Sequence, residues 1–242
     1  MSEVRLPPAL QTLWGRRTAG ARGPRAELDV DRIVRAAVAV ANDEGLEAVS
    51  MARVAKELGF STMSLYRHVS NKDELYQLMW NASAFELTEW EPEGATWREQ
   101  LVSWAVIQRS VIERNIWVTQ LPMSSPPLAP QSLAWLEHGL RVLEQVDAPD
   151  FTKIRLLGLI SQHALIDARM LYDERRARET AQEAGFETDF MVLVRELADP
   201  ETYPILTRVV TQSPGDGPAP DEAAEFLFDI GLILDGFEAA TR

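Results

Sequence analysis

Apolar residues in this chain recur every three to four positions and never alternate over any length, a period that helices satisfy and strands do not. From Asp29, placed to cap, Ile33, Val34, Ala37, Val38, Val40 and Ala41 form one apolar face that stops at Gly45. Two short helices are expected between Ser50 and Val69, and a fourth from Ser70, where Ser-Asn-Lys-Asp has the look of a capping box, through Leu75, Leu78 and Met79 toward Trp90. Pro92 and Gly94 break the pattern, after which Thr96-Trp97-Arg98-Glu99 is a capping box that opens an amphipathic helix through Leu101, Trp104, Ala105 and Val111. Pro122, Pro126, Pro127 and Pro130 mark a loop ahead of a helix over about 131–146, and a long helix is expected over about 150–180. One or two short helices over 185–211 and a Gly- and Pro-rich loop over 212–220 precede a last helix with Phe226, Leu227, Ile230, Leu234 and Phe237 on one face. The economical reading is all-α.

Charge divides the chain unevenly. The net charge of −13 hides a balance of +3 over residues 1–72 and −16 over 73–242, so a mildly basic front precedes a strongly acidic body. That asymmetry suits a chain that lays one end on phosphate while the remainder stays clear of it. With no cysteine, disulfide frameworks, thiolate zinc sites and cysteine nucleophiles are all excluded. The N-terminal stretch has charges and prolines where a signal peptide needs an apolar run, and no stretch is apolar enough for a membrane span, so a cytoplasmic location is expected. Three histidines, no nucleophile elbow, no phosphate loop and no metal-ligand spacing point away from an enzyme, and no cofactor or metal is expected.

The segment Ser50 to Val69 reads SMARVAKELGFSTMSLYRHV. Met51, Val54, Ala55 and Leu58 stand at i, i+3, i+4 and i+7, and Gly59 permits the left-handed turn that a tight connection between crossed helices requires. Ser61 is placed to cap the second helix, in which Leu65 and Val69 are spaced to pack inward. Thr62, Met63, Ser64, Tyr66, Arg67 and His68 are left outside. Short hydroxyl and apolar side chains at the front of such a helix suit base edges and thymine methyls, and longer donors beside them suit phosphates. Lys72 adds an ammonium in the first turn of the next helix, where the helix's positive end also favours phosphate. An ordinary helical hairpin with a polar outer face has the same spacing. What separates the two is that no acidic residue occurs between Ser61 and Lys72 in a chain with 37 carboxylates.

Residues 30–75, VDRIVRAAVAVANDEGLEAVSMARVAKELGFSTMSLYRHVSNKDEL, resemble the DNA-binding domain of the tetracycline-repressor (TetR) family. The order of the later segments is similar to the C-terminal domain of that family's tetracycline-repressor-like branch. The resemblance implies three parts: an Arg-containing arm over 1–28, a helix-turn-helix domain over 29–75, and a helical ligand-binding and dimerisation domain over 76–242. It implies a homodimeric transcriptional regulator on a palindromic operator of double-stranded DNA, most often a repressor released by a small-molecule effector. An activator or an effector-independent regulator stays open. By position, Thr62, Met63, Ser64, Tyr66 and Arg67 match base- and backbone-contacting sites, and Ser50, Arg53, His68 and Lys72 match flanking phosphate sites.

The arm either adds DNA contacts or is an inert tail. The apolar faces over about 150–180 and 221–240 could form a four-helix dimer interface, with burial inside the subunit as the competing account. Trp104, Gln108, Trp117, Trp135, His138, Gln162 and His163 lie on segments that line the effector pocket in the relatives. Such a set suits an apolar, ring-containing effector, although tryptophans at helical spacing serve equally as core. His163 and Asp167, four apart, suggest a polar anchor, a local hydrogen bond or an intersubunit one.

Overall fold

The computed structural model describes residues 6–16, 28–122, 128–187, 189–212 and 221–241. Among them the elements are helical throughout, as the period of the apolar residues predicts. Twelve α-helices follow one another: α1 Pro8–Leu13, α2 Val30–Glu44, α3 Met51–Leu58, α4 Thr62–Tyr66, α5 Lys72–Ser83, α6 Phe85–Thr88, α7 Trp97–Arg114, α8 Pro130–Val142, α9 Asp150–Ala184, α10 Phe190–Leu197, α11 Pro204–Gln212 and α12 Glu222–Thr241. Short 3-10 stretches at Leu46–Ala48 and Ile116–Gln120 follow α2 and α7.

Side-chain caps fix most of the N-termini. Asp29, Ser50, Ser61 and Asn71 each accept from a backbone N–H in the first turn of α2, α3, α4 and α5, and Thr96 and Glu99 form the predicted capping box of α7. Gly59 closes α3 in the left-handed conformation, φ 74° and ψ 24°, which lets the chain turn into α4 within three residues.

Helices α2, α3 and α4 close a small core on Ile33, Ala37, Val49, Val54, Leu65 and Val69, and α5 adds Leu75 and Met79. The larger body packs α7, α8, α9 and α12 around Leu101, Trp104, Leu157, Ile160, Phe226 and Ile230. Ala105, Ala164 and Ala168 are buried there, small enough to let the helices approach closely.

Three sequence readings need correction. The fourth predicted helix does not run from Ser70 to Trp90: Asn71 is the cap, the helix stops at Ser83, and the turn at Ala84 starts the separate one-turn helix α6. The reading helix is also shorter than its spacing suggests. After Tyr66 the chain tightens, with both His68 and Val69 donating to the Leu65 carbonyl at 2.9 Å, and this tucks Val69 under the domain. Within the presumed arm, Pro8–Leu13 is helical and lies against α5, with Ala9 buried. Residues 1–5 and 17–27 of that arm lie outside the described residues.

Helix α9 is about 52 Å long at 1.5 Å per residue. Its last buried residue is Ala168; the second half carries its own ion pairs, Arg169–Asp173 and Arg178–Glu174, and one to the start of α12, Arg175–Glu222. Beyond it, α10 and α11 lean on each other, with the Arg195 guanidinium donating to the Val210 carbonyl at 3.0 and 3.3 Å.

Candidate functional site

The first candidate surface is the outer face of α4. Leu65 and Val69 are completely buried, and this anchoring turns Met63 and Tyr66 outward, at 71% and 45% exposure. Arg67 and Lys72 are exposed beside them, and Thr62, Ser64 and His68 are partly so. Ser61 is occupied locally: its hydroxyl accepts from the Ser64 amide and lies 2.8 Å from the Ser64 hydroxyl. Lys72 stands at the positive end of α5 with its ammonium 5.1 Å from the Tyr76 ring, an arrangement that stiffens the side chain without neutralising it. Of the residues named from sequence for DNA contact, Ser61, Met63, Tyr66, Arg67 and Lys72 are exposed and none is buried.

Arg53 differs from the rest of that set. Two carboxylates hold its guanidinium: Nη2 donates to Glu44 Oε1 at 2.5 Å and Nη1 to Glu57 Oε2 at 2.7 Å. The hydrogen bond from Arg53 holds the Glu44 carboxyl below its ordinary range, and the same bond raises the Arg53 pKa. A carboxylate whose folded pKa is lowered stabilises the fold above its ordinary value, near 4.5, and that contribution is lost as pH falls through the lower folded value. Ser50, expected at the phosphate flank, caps α3 through the Arg53 amide at 3.1 Å. Nothing in the spacing singled out Glu44, nine residues upstream, as the partner of Arg53.

The second candidate site is aromatic. Trp104 of α7 and Trp135 of α8 stack with ring centroids 4.7 Å apart and planes 2° from parallel. Trp90 meets Trp135 edge-on at 5.5 Å, and His138 lies 6.3 Å from Trp135 and 6.1 Å from Trp90. Trp104 Nε1 donates to the Trp135 carbonyl at 3.3 Å, whereas Trp135 Nε1 is buried without a hydrogen-bond partner. Gly139 seals the cluster. A Cβ there would fall 2.7 and 2.9 Å from the Leu157 methyls and 3.3 Å from the Trp104 ring, so α8 sits directly on α7 and α9. Gln108, one turn beyond Trp104, accepts from the Ser161 hydroxyl at 3.2 Å across to α9. Trp90 was not singled out from the sequence, because it ends the segment before the Pro-Gly break and its partner is 45 positions away.

The remaining three expected pocket residues lie elsewhere. Trp117 is buried, and its Nε1 donates to Asn42 Oδ1 at 2.7 Å, joining the larger body to the end of α2. Gln162 is exposed on the outside of α9, in line with Phe151, Ile154, Ile166 and Met170. His163 stacks on Phe226 at 5.5 Å and reaches Asp229 at 3.4 Å, whereas Asp167 turns to Arg109 at 2.7 Å. The suggested local bond between His163 and Asp167 is therefore replaced by two separate pairings, both toward neighbouring helices. In both, the groups meet without the alignment of a hydrogen bond.

The family profile described as bacterial regulatory proteins of the tetR family matches residues 33–79, and that of the tetracyclin repressor-like C-terminal domain matches residues 91–241. The chain belongs to the TetR family. It is a DNA-binding transcriptional regulator, and its small domain is the family's helix-turn-helix. The HTH-type transcriptional repressor DrrR1 of Streptomyces coeruleorubidus is 32% identical over 232 residues, which cover 95% of this chain and 84% of that protein. Among solved structures, apo ActR of Streptomyces coelicolor superposes with a TM-score of 0.72 at 26% identity, over 90% of this chain and 98% of its own. ActR in complex with actinorhodin gives 0.73 at 25% identity, over 89% and 98%. The TetR family consists of transcriptional regulators rather than enzymes. Among the described residues, no helix is long and apolar enough to cross a membrane, and no group of His, Asp and Glu could hold a metal ion.

Proposed function

We propose that this TetR-family chain is a repressor which grips a palindromic operator as a homodimer and releases it when a small, ring-containing, largely apolar effector enters the larger domain. The observation that carries the first half is the outer face of α4. Two completely buried residues, Leu65 and Val69, drive its exposed face outward, and no carboxylate occurs from Ser61 to Lys72. Thr62, Met63, Ser64, Tyr66 and Arg67 would face base edges and backbone, and Ser50, Ser61, His68 and Lys72 the flanking phosphates. The test is Arg67→Ala. Operator affinity should fall by about 5- to 150-fold and the salt slope should drop by about one. Unchanged affinity for promoter DNA selected by the parent chain would remove the reading.

Arg53 joins this surface only if its carboxylates let go. In Glu44→Gln combined with Glu57→Gln, the charges that hold the guanidinium are gone. Operator affinity should then rise and the salt slope should steepen by about one. Adding Arg53→Ala should cancel the gain. If it does not, the gain comes from the lost negative charge alone and Arg53 is not a phosphate contact.

For the effector, Trp104, Trp135, Trp90 and His138 supply aromatic walls, and the partnerless Trp135 Nε1 supplies a donor waiting for an acceptor on the ligand. Gln108 lies one turn away on α7. A planar ring with a carbonyl or ether oxygen fits those needs, and it would enter by parting the stacked indoles. The known ligand complex of ActR supports a ligand-responsive domain in this branch. An effector-independent regulator is the second reading, favoured by the tight seat of Gly139 against Leu157 and Trp104.

The dimer face we assign is the outer stripe of α9 and α12. Phe151, Ile166 and Met170 on α9, with Phe228 and Leu232 on α12, are each more than half exposed in the protomer. A soluble chain seldom leaves so much apolar surface uncovered. Gln162 stands in the middle of that stripe and would be buried by the partner rather than by a ligand.

A further inference from the structure

The helix α1 precedes both family profile matches, which begin at residues 33 and 91, so neither profile describes it. Six residues cannot hold a helix by themselves in water, and α1 must owe its existence to what it touches. Ala9 is buried and Leu13 packs on the core, and two longer-range hydrogen bonds add to that packing. On one side the Thr12 hydroxyl donates to Glu74 Oε1 at 3.0 Å. Glu74 is 2% exposed, and its other oxygen accepts from the Ser70 amide at 2.7 Å. Ser70 lies in the short connection between Arg67, at the end of the reading helix, and α5. On the other side Trp14 Nε1 donates to the Leu128 carbonyl at 2.9 Å. Leu128 is two residues ahead of α8, the helix that carries Trp135.

We propose that α1 is a strap across the two domains, with Thr12 and Trp14 as positioning residues that set the angle of the reading helix against the larger body. A buried carboxylate must be satisfied by donors, and Glu74 takes one from α1 and one from the Ser70 amide, so a single side chain links the seat of α1 to the connection that follows the reading helix. The path is short: Leu128, Trp14, α1, Thr12, Glu74, Ser70, then α4. A displacement at the start of α8 reaches the reading helix along it. Direct bonds between α5 and α8, Trp80 Nε1 to Ser132 Oγ at 3.0 Å and the Gln131 amide to Asn81 Oδ1 at 3.2 Å, hold the middle of the same joint, and the strap holds its outer edge. This inference goes beyond the repressor reading, since it concerns a contact that any DNA-bound form of the chain would use.

The test combines Thr12→Val with Trp14→Phe, two changes that keep shape and remove the donors. The chain has no cysteine, so spin labels at Lys56→Cys and Arg141→Cys report the distance from the small domain to the body, read in full-length protein diluted with excess unlabelled chain. The strap predicts a broadened label distance in the variant without DNA, a loss of about tenfold or more in operator affinity, as expected for one hydrogen bond to a carbonyl and one to a carboxylate, and an unchanged helical content. Thr12→Ser, which keeps the hydroxyl, should retain the narrow distance and the affinity. An unbroadened distance overturns the proposal whatever happens to DNA binding, and so does a double variant that binds as the parent does. Failure of the DNA-contact reading alone would leave the label distances responsive.

Discussion

Replacing Ile166 and Leu232 with glutamate is expected to give a folded protomer without a partner, and operator affinity lower by about 10²- to 10⁴-fold. The fold should survive because both side chains are more than half exposed in the protomer, at 56% each, and pack on little within it. The affinity should not survive, because a dimer binds its second half-site as an intramolecular event and a monomer must find each half-site alone. Two carboxylates buried against their symmetry mates cost far more than two apolar side chains contribute, so even at high protein concentration the pair should stay apart. Sedimentation velocity with far-ultraviolet circular dichroism separates the outcomes. A variant that remains dimeric while folded places the interface elsewhere. One that dissociates yet binds operator as tightly as the parent removes the half-site argument.

The second large effect concerns the stacked indoles. Trp104→Ala is expected to destabilise the larger domain by about 3–5 kcal/mol, because the ring is almost wholly buried and Gly139, Leu157 and Trp135 close over it with no means of filling the space. For a chain of this size that is a fall of roughly 10 °C in Tm, read by thermal circular dichroism. Trp135→Phe should behave in the opposite sense. It removes an N–H that is buried without a partner, so stability should hold or rise by about 1 kcal/mol even though a smaller ring is left. If Trp135→Phe destabilises as much as Trp104→Ala does, the indole N–H has a use in the resting protein and its role as a ligand donor is withdrawn.

How far the sequence could be read depended on how local each determinant was. The face of α2, the left-handed Gly59, the Ser61 cap and the Thr96–Glu99 box are written within a few residues of one another, and all four are in the structure. Burial of Leu65 and Val69 followed from the same local period, so the exposed face of α4 was legible too. Helix α1 was not: six residues carry too little periodicity, and what stabilises it is a carboxylate 62 positions later. The break at Ala84 was hidden because no glycine or proline marks it. That Gln162, expected at a pocket wall, stands on the outer side of α9 was hidden for a related reason. Helix α9 has apolar residues on both its inner and outer sides, and period alone cannot say which side meets the body and which is left outside. The pairings of Arg53 with Glu44 and of Asp167 with Arg109 join separate helices, which spacing along one helix does not reveal.

The bond from Trp117 to Asn42 fastens the last turn of α2 to the larger body at a point well behind the reading helix. With the α5–α8 bonds of Trp80 and Asn81 it marks a seam about which the small domain can turn, so that junction is a fulcrum. Small rotations there would sweep the far side of the small domain through a wider arc, and a modest rearrangement among the packed helices of the body could carry a pair of reading heads out of step with the pitch of the double helix.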